Sequence, residues 1–284
     1  MENAVAWGFL LSTLALAAPL LLASLGEIIG ERAGVLNISL EAMMLCGAWA
    51  AAAASFGAQN ALVGIGAAVG AGVLVAGLFA TLVLTLKSDA VVIGTGLNLL
   101  ALGLTGTLHR AISARFGSYN SVSVPEWCFA LFGLILVPLV TFFLVRTRGG
   151  LALRACGEAP QAATSMGVGV WKFRWAATLC NGALCGLAGA FLTLAGVNSF
   201  GENVTAGRGF IALAIVIFGR YQPLGALGAA LLIAAADAGQ IALQGQLPST
   251  YYPLLLALPY VLTLASLAGF AGKSKAPAAL GGNL

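Results

Sequence analysis

Long apolar runs follow one another along the whole chain, separated by short polar stretches. They cover about residues 7–25, 35–56, 60–86, 90–108, 128–145, 175–197, 209–219, 223–243 and 251–271. Most of them approach the ~20 residues that a helix needs to cross a hydrocarbon core about 30 Å thick. The strict alternation of a membrane β-barrel is not seen. The pattern therefore predicts an all-α polytopic membrane protein with about eight to ten transmembrane helices.

One apolar run, at about 209–219, is too short to cross a membrane comfortably. We expect a half-helix or re-entrant element there, which is tolerated where protein or a water-filled cavity covers its backbone. Together with 223–243 it would form a broken pair around the sequence GRYQP. Residues 1–284 are expected to form a single transmembrane domain.

Composition supports a membrane protein and gives no indication of a nucleic acid partner, disulfides or a metal site. Hydrophobic residues make up 60% of the chain and charged residues only 8%, whereas ordinary soluble domains carry about 25% charged residues. The net charge of +4 gives no reason to expect a nucleic acid partner. The five cysteines form no CxxC pair and there is one histidine, so neither structural disulfides nor a metal site is expected.

The distribution of basic residues predicts the orientation in the membrane. The loop at about 146–174 contains one acidic residue, Glu158, and five basic residues: Arg146, Arg148, Arg154, Lys172 and Arg174. Because cytoplasmic loops are enriched in Lys and Arg, this loop should be cytoplasmic. Counting spans from there predicts an extracytoplasmic loop at 109–127, a cytoplasmic C-terminal tail and an N-terminus on the outside.

The same basic loop contains a predicted short helix. Pro160 suits the first turn of a helix, and Gly167 would end it. Ala162, Ala163 and Met166 are then expected to form a small apolar face. Such a helix could lie on lipid headgroups or serve as a docking helix for a soluble protein.

Charged residues are concentrated between the first two apolar runs, in "GEIIGERAGVLNISLE" (26–41). We expect Glu27, Glu31 and Arg32 to lie in a cytoplasmic turn made compact by glycines, with Arg32 pairing with one of the glutamates. Asn37 or Ser39 would cap the next helix.

Four further polar residues lie near or inside apolar runs: Glu41, Asn98, Asp237 and Gln240. Carboxylates in a membrane are costly and usually face a partner or a wet cavity. Glu41 would either pair with Arg32 or Asn98, or line a translocation path. Asp237 and Gln240 share one helix face and would line the same path or bond to a neighbouring helix.

Several stretches resemble known transport permeases. The spacing of Ala162, Ala163 and Gly167 is similar to the EAA loop of ABC-importer permeases. "GEIIGERAGVLNISLEAMMLCGAWAA" (26–51) resembles the signature of permeases for nucleosides, simple sugars or branched-chain amino acids, and its form is most similar to the nucleoside branch, apart from Ser39 where Gly is more usual. Three further blocks are similar to that branch: "SDAVVIGTGLNLLALGLTG" (88–106), "RGFIALAIVIFGRYQPLGALGAALL" (208–232) and "APAALG" (276–281).

The resemblance implies a transmembrane permease subunit of an ABC importer in the bacterial inner membrane, moving a nucleoside of the purine class. It also implies three protein partners: an ABC ATPase that uses ATP and Mg²⁺, a second related permease in a hetero- or homodimer, and an extracytoplasmic binding protein. The ATPase would dock at Glu158, Ala162, Ala163 and Gly167.

The chain itself has no Walker A pattern and no catalytic triad, so we expect it to bind no cofactor and to be no enzyme. The alternatives are a sugar or amino acid permease of the same class, an ion-coupled secondary transporter and a membrane scaffold without transport activity.

Overall fold

The computed structural model describes residues 2–117, 120–244, 261 and 275–281. Within these ranges the chain is helical and contains no strand. The helices are α1 (Glu2–Arg32), α2 (Leu40–Ala58), α3 (Ala61–Ala80), α4 (Ala90–Phe116), α5 (Glu126–Arg146), α6 (Arg148–Glu158), α7 (Pro160–Ser165), α8 (Val170–Phe191), α9 (Arg208–Phe218) and α10 (Pro223–Gln244). Short π-helical turns, Thr81–Thr85 and Leu192–Gly196, extend α3 and α8.

Seven of the described helices are long and apolar enough to cross a membrane: α1, α2, α3, α4, α5, α8 and α10. This confirms the all-α polytopic class. The predicted span at 251–271 lies outside the described residues. The short helix α9 has only 11 residues, which at ~1.5 Å per residue gives about 16 Å, or half of the hydrocarbon core.

One end of the bundle gathers the basic loop and several helix ends. The Nε atom of Arg32, at the end of α1, donates to the carbonyl oxygen of Tyr221 at 2.9 Å. Arg174, near the start of α8, donates to the carbonyl oxygen of Ala33 at 3.2 Å. By the enrichment of Lys and Arg in cytoplasmic loops, this is the predicted cytoplasmic end of the bundle, and α1 is predicted to begin on the outer side.

The prediction of a broken pair of helices is confirmed. The helices α9 and α10 are joined by a tight turn in which Arg220 and Tyr221 have φ angles of 53° and 56°. Since α9 ends at the cytoplasmic side and is about 16 Å long, it begins near the middle of the membrane. The chain between α1 and α2 turns back into the bundle, so that α2 also begins beside the start of α9.

The glutamates of the first motif are helical, and the predicted turn is wrong. Helix α1 continues to Arg32, and the side chains of Glu27 and Glu31 are buried. Glu27 accepts hydrogen bonds from the backbone N–H of Asn37 at 3.0 Å and from the side-chain amide of Asn181 at 2.5 Å. The re-entering segment and α8 supply these donors, so burial is compensated. Arg32 bonds to Tyr221 and forms no ion pair within the described residues.

Glycine allows α2, α3 and α8 to pack with their backbones in contact. A methyl group added at Gly72 would overlap the carbonyl oxygen of Gly182, and one at Gly186 would overlap that of Ala68. Small residues at such contacts let membrane helices approach closely. Gly182 and Gly186 on α8 thus serve close helix packing.

Gly72→Val should therefore destabilise the bundle, whereas Gly70→Val should not. Overpacking commonly costs about 1–3 kcal/mol, and we expect the upper end because the obstacle at Gly72 is backbone. Gly70, two residues earlier on α3, has nothing within 4 Å of an added Cβ. Thermal unfolding of the purified variants in detergent measures the difference, and equal stability of the two variants would contradict the packing described.

Candidate functional site

A cavity of about 440 Å³ opens between α2, α4 and the segment that leads into α9. It lies at the depth where α9 begins, and its volume falls within the range of small-molecule sites. The lining residues are Glu41, Leu45, Thr95, Asn98, Leu99, Leu102, Asn203, Gly207 and Phe210. Two of the four predicted path residues, Glu41 and Asn98, thus line one cavity.

Glu41 holds the start of α9. Its Oε1 atom accepts from the hydroxyl of Thr205 at 2.5 Å and from the backbone N–H of Gly207 at 2.8 Å. Its Oε2 atom accepts from the N–H of Gly209 at 2.7 Å. The side chain of Glu41 is only 8% exposed, and its carboxylate sits where the positive end of the helix dipole favours an anion.

The two structural partners predicted for Glu41, Arg32 and Asn98, are both wrong. The carboxylate bonds neither to Arg32 nor to Asn98 but to a segment more than 160 residues away. Gly207, at the N-cap of α9, offers no side chain for capping. The carboxylate therefore satisfies backbone N–H groups that a helix beginning inside a membrane leaves unpaired.

Asn98 performs a related task at the start of α2. Its side-chain oxygen accepts from the N–H of Ala42, and its side-chain amide donates to the carbonyl oxygen of Ile38, both at 2.9 Å. Ser39 occupies the N-cap position without a capping bond of its own, and Asn37 accepts from it instead. The first turn of α2 is thus fixed by a residue on α4.

Other lining residues offer the groups that a ligand could use. Thr95, on α4, has its hydroxyl bonded to the carbonyl oxygen of Val91 at 2.8 Å, which leaves the hydroxyl oxygen able to accept. Asn203 is exposed and belongs to the loop before α9. Leu99, Leu102 and Phe210 provide apolar walls. The described residues contain no group of His, Cys, Asp and Glu able to hold a metal ion.

Asp237 and Gln240 lie on α10, half-buried, and neither lines this cavity. Asp237 is attracted electrostatically by Arg208, the first residue of α9. The guanidinium of Arg208 donates to the carbonyl oxygen of Val204 at 3.2 Å. Asp237 forms no ion pair with Arg208 in the described residues, and its place in a substrate path stays a prediction.

The predicted short helix is present as α7, at the predicted cytoplasmic end, and its docking role stays a prediction. Pro160 occupies its first position, and Gly167 has a φ of 82°. The N–H of Gly167 bonds to the carbonyl oxygen of Thr164, and that of Val168 to the carbonyl oxygen of Ala163, both at 2.9 Å. This pattern is a Schellman ending, so both predicted ends of the helix are confirmed.

The predicted apolar face of α7 is correct for Ala162 and Met166, which are exposed four residues apart, and wrong for Ala163. Ala163 is buried, whereas Ala162 is exposed and Met166 is 84% exposed. Adjacent helix positions point in different directions, so Ala163 packs inward and Ala162 outward. Glu158 is exposed at the end of α6, where its carboxylate is 3.4 Å from the backbone nitrogen of Ala278 in the C-terminal segment.

Sequence reasoning missed Thr95, Asn203 and Thr205. Thr205 lies in a polar loop with no helical periodicity to place it. A signal was nevertheless available, because a half-helix that begins at a glycine inside a membrane needs an external cap, and Glu41 is a carboxylate beside an apolar run.

Comparison with known proteins identifies relatives over most of the chain. Residues 9–267 match the family described as branched-chain amino acid transport system / permease component. The guanosine ABC transporter permease protein NupQ of Bacillus subtilis is 32% identical, over 95% of this chain and 94% of its own. The nucleoside ABC transporter permease protein NupC of Lactococcus lactis is 34% identical, over 93% and 92%. A Haloferax volcanii protein provisionally named glucose ABC transporter permease protein TsgC13 is 39% identical, over 82% and 77%. No solved structure matches the chain.

Glu41→Ala should destabilise the protein strongly. The substitution leaves one hydroxyl and two backbone N–H groups without their acceptor, and each unsatisfied buried group costs about 1–3 kcal/mol. We expect a total loss of about 3–5 kcal/mol, seen as a lower unfolding temperature in detergent. Glu126→Ala, at an exposed position in the first turn of α5, is the matched control. Equal unfolding temperatures for both variants would show that the Glu41 carboxylate does not support α9.

Proposed function

Because the chain belongs to the family of permease components of branched-chain amino acid transport systems, we propose that it carries nucleosides across the inner membrane as the transmembrane subunit of an ABC importer. The observation that carries the proposal is the cavity at the start of α9, halfway through the bundle and lined by both polar and apolar groups. The similarity to NupQ and NupC supports the choice of nucleosides.

The chemistry of the cavity suits a neutral ligand with one polar and one apolar part. The Glu41 carboxylate is engaged by α9, so no free charge is directed at the ligand by this residue. Thr95 and Asn203 can bond to sugar hydroxyls, and Phe210 and Leu99 can contact the flat base. A branched-chain amino acid would need partners for two charged groups, which fits this lining less well.

The energy for transport comes, in this proposal, from a separate ATPase that uses ATP and Mg²⁺ and docks on α7. The exposed side chains of Ala162 and Met166 are its contact points. A second permease subunit and an extracytoplasmic binding protein complete the importer. ATP binding and hydrolysis would switch the cavity between its outward-open and inward-open states.

A continuous set of contacts connects α6, the helix directly before α7, with the cavity. Gly157, near the end of α6, lies against the backbone carbonyl of Arg32 without room for a methyl group. Arg32 in turn holds the turn after α9 through Tyr221, and the other end of α9 is held by Glu41. Movement of α6 and α7 would therefore reach the cavity through α1 and α9.

A simple sugar is the second candidate substrate. TsgC13, whose name refers to glucose, is 39% identical to this chain, and the cavity would accept a neutral sugar for the same chemical reasons. An ion-coupled secondary transporter remains the rival mechanism, and it predicts transport without any ATPase partner.

Deletion of this gene from cells carrying the complete importer should abolish uptake of labelled adenosine and guanosine. Wild-type protein should restore uptake, with competition by unlabelled nucleosides and not by ribose or leucine.

Thr95→Val keeps the shape of the side chain and removes the hydroxyl. The KM for nucleoside uptake should therefore rise about 2- to 10-fold, which corresponds to the loss of one hydrogen bond to the substrate. Thr107→Val, at an exposed α4 threonine with the same backbone bonding, is the control.

Three results would contradict parts of this proposal. Competition by ribose alone would replace nucleosides with sugars. Uptake that persists without the ATPase gene and collapses with an uncoupler would favour the secondary transporter. Equal KM values for the two threonine variants would remove Thr95 from the binding site.

Ala162→Glu should reduce copurification of the ATPase severalfold without altering the stability of the permease. The side chain is exposed at the cytoplasmic end, so a carboxylate there disturbs a partner and not the bundle. Ala114→Glu, at an exposed alanine at the outer end of α4, should copurify normally. Normal copurification of both variants would exclude α7 as the docking helix. Ala163→Glu is unsuitable because that side chain is buried.

A further inference from the structure

A second cavity, of about 220 Å³, lies at the cytoplasmic end of the bundle between α5, α6 and the start of α10. It is separate from the cavity that contains Glu41. Its lining residues are Arg32, Thr141, Leu144, Val145, Arg154, Tyr221, Gln222, Pro223 and Leu224. The transport proposal gives this cavity no role.

Two arginines give this cavity a positive charge. The Nε atom of Arg32 is engaged with the carbonyl oxygen of Tyr221. The Nε atom of Arg154 is buried and has no hydrogen-bond partner in the described part of the chain. A buried donor without an acceptor is costly, and a guanidinium is the group that best recognises a phosphate or carboxylate through several N–H groups.

The neighbouring carboxylates do not neutralise the cavity from within. Glu31 and Glu158 attract Arg32 electrostatically, and Arg154 repels it. Neither glutamate lines the cavity, and neither forms a direct ion pair in the described residues. An anion inside the cavity would relieve the repulsion between the two guanidinium groups and supply an acceptor to Arg154.

The rim of the cavity is apolar and open. Val145 on α5 is 59% exposed, and Leu224 on α10 is 62% exposed. Both helices are membrane spans, and α5 ends and α10 begins on the cytoplasmic side. The cavity thus contains two arginines and has an apolar rim. In the predicted orientation it lies at the level of the headgroups of the cytoplasmic leaflet.

We propose that this cavity binds the phosphate of an anionic phospholipid from the cytoplasmic leaflet. The acyl chains would follow the exposed apolar side chains of α5 and α10, while the phosphate accepts hydrogen bonds from Arg154. Basic pockets between membrane helices on the cytoplasmic side are a known setting for such headgroups. Free phosphate offers the same charge but makes no use of the apolar rim.

The test is native mass spectrometry of the purified full-length chain in detergent, titrated with dioctanoyl phosphatidylglycerol or dioctanoyl phosphatidylcholine. The wild type should prefer phosphatidylglycerol. Arg154→Gln should weaken phosphatidylglycerol binding about tenfold, the usual loss when a charged hydrogen bond is removed. Arg148→Gln, at an exposed arginine of the same helix outside the cavity, should bind like the wild type. Inorganic phosphate should not compete at millimolar concentration.

Gln222→Glu provides an independent arm of the test. Gln222 is exposed at the cavity, and the substitution adds a negative charge of nearly the same shape without removing an arginine. Gln222→Glu should weaken phosphatidylglycerol binding and leave phosphatidylcholine binding unchanged. If Arg154→Gln does not fold, this variant alone tests whether the cavity binds the anionic lipid. Equal binding of the two lipids, equal binding by the Arg154 and Arg148 variants, or displacement by inorganic phosphate would each overturn the proposal.

Discussion

A helix that begins inside the hydrocarbon layer leaves backbone N–H groups where water is scarce, and the rest of this structure depends on how they are satisfied. The Glu41 carboxylate accepts from two such groups at the start of α9 and from the hydroxyl of Thr205. Because α9 stops halfway, the space beyond its first turn is left for the cavity. Glu41, a carboxylate that is costly to bury in a membrane, therefore stabilises the helix start beside which the cavity opens.

Side chains of neighbouring helices also satisfy backbone groups in the other irregular segment, between α1 and α2. Glu27 accepts from the N–H of Asn37, and Asn98 bonds to both the carbonyl of Ile38 and the N–H of Ala42. Polar side chains on neighbouring helices thus bracket a stretch of backbone that re-enters the bundle. This explains two of the three carboxylates at 26–41, because Glu27 and Glu41 accept from backbone N–H groups. The third, Glu31, is buried, and its Oε2 atom has no hydrogen-bond partner in the described residues.

Local features of the fold were predictable from the sequence, and long-range pairings were not. The spans, the half-helix and the short helix between Pro160 and Gly167 follow from run length, proline and glycine, which act within a few residues. The partner of Glu41 is more than 160 residues away, and no periodicity indicates it. The local sequence predicts a turn at Glu27 because it is charged and flanked by glycines, whereas donors from Asn37 and Asn181 allow α1 to continue with Glu27 buried. The inward direction of Ala163 likewise depends on packing.

The contacts at the cytoplasmic end limit how this bundle can move. A methyl group at Gly157 would overlap the carbonyl oxygen of Arg32, so α6 and the end of α1 pack with their backbones in contact. The Arg32 side chain donates to the carbonyl oxygen of Tyr221, which joins the end of α1 to the turn after α9. At its other end, the backbone N–H groups of Gly207 and Gly209 donate to the side-chain carboxylate of Glu41, and such bonds weaken steeply when their angle is distorted. Helix α9, about 16 Å long, is therefore bonded at both ends, and its first turn forms one wall of the cavity. In the proposed transport cycle a displacement at its cytoplasmic end would be transmitted to that wall.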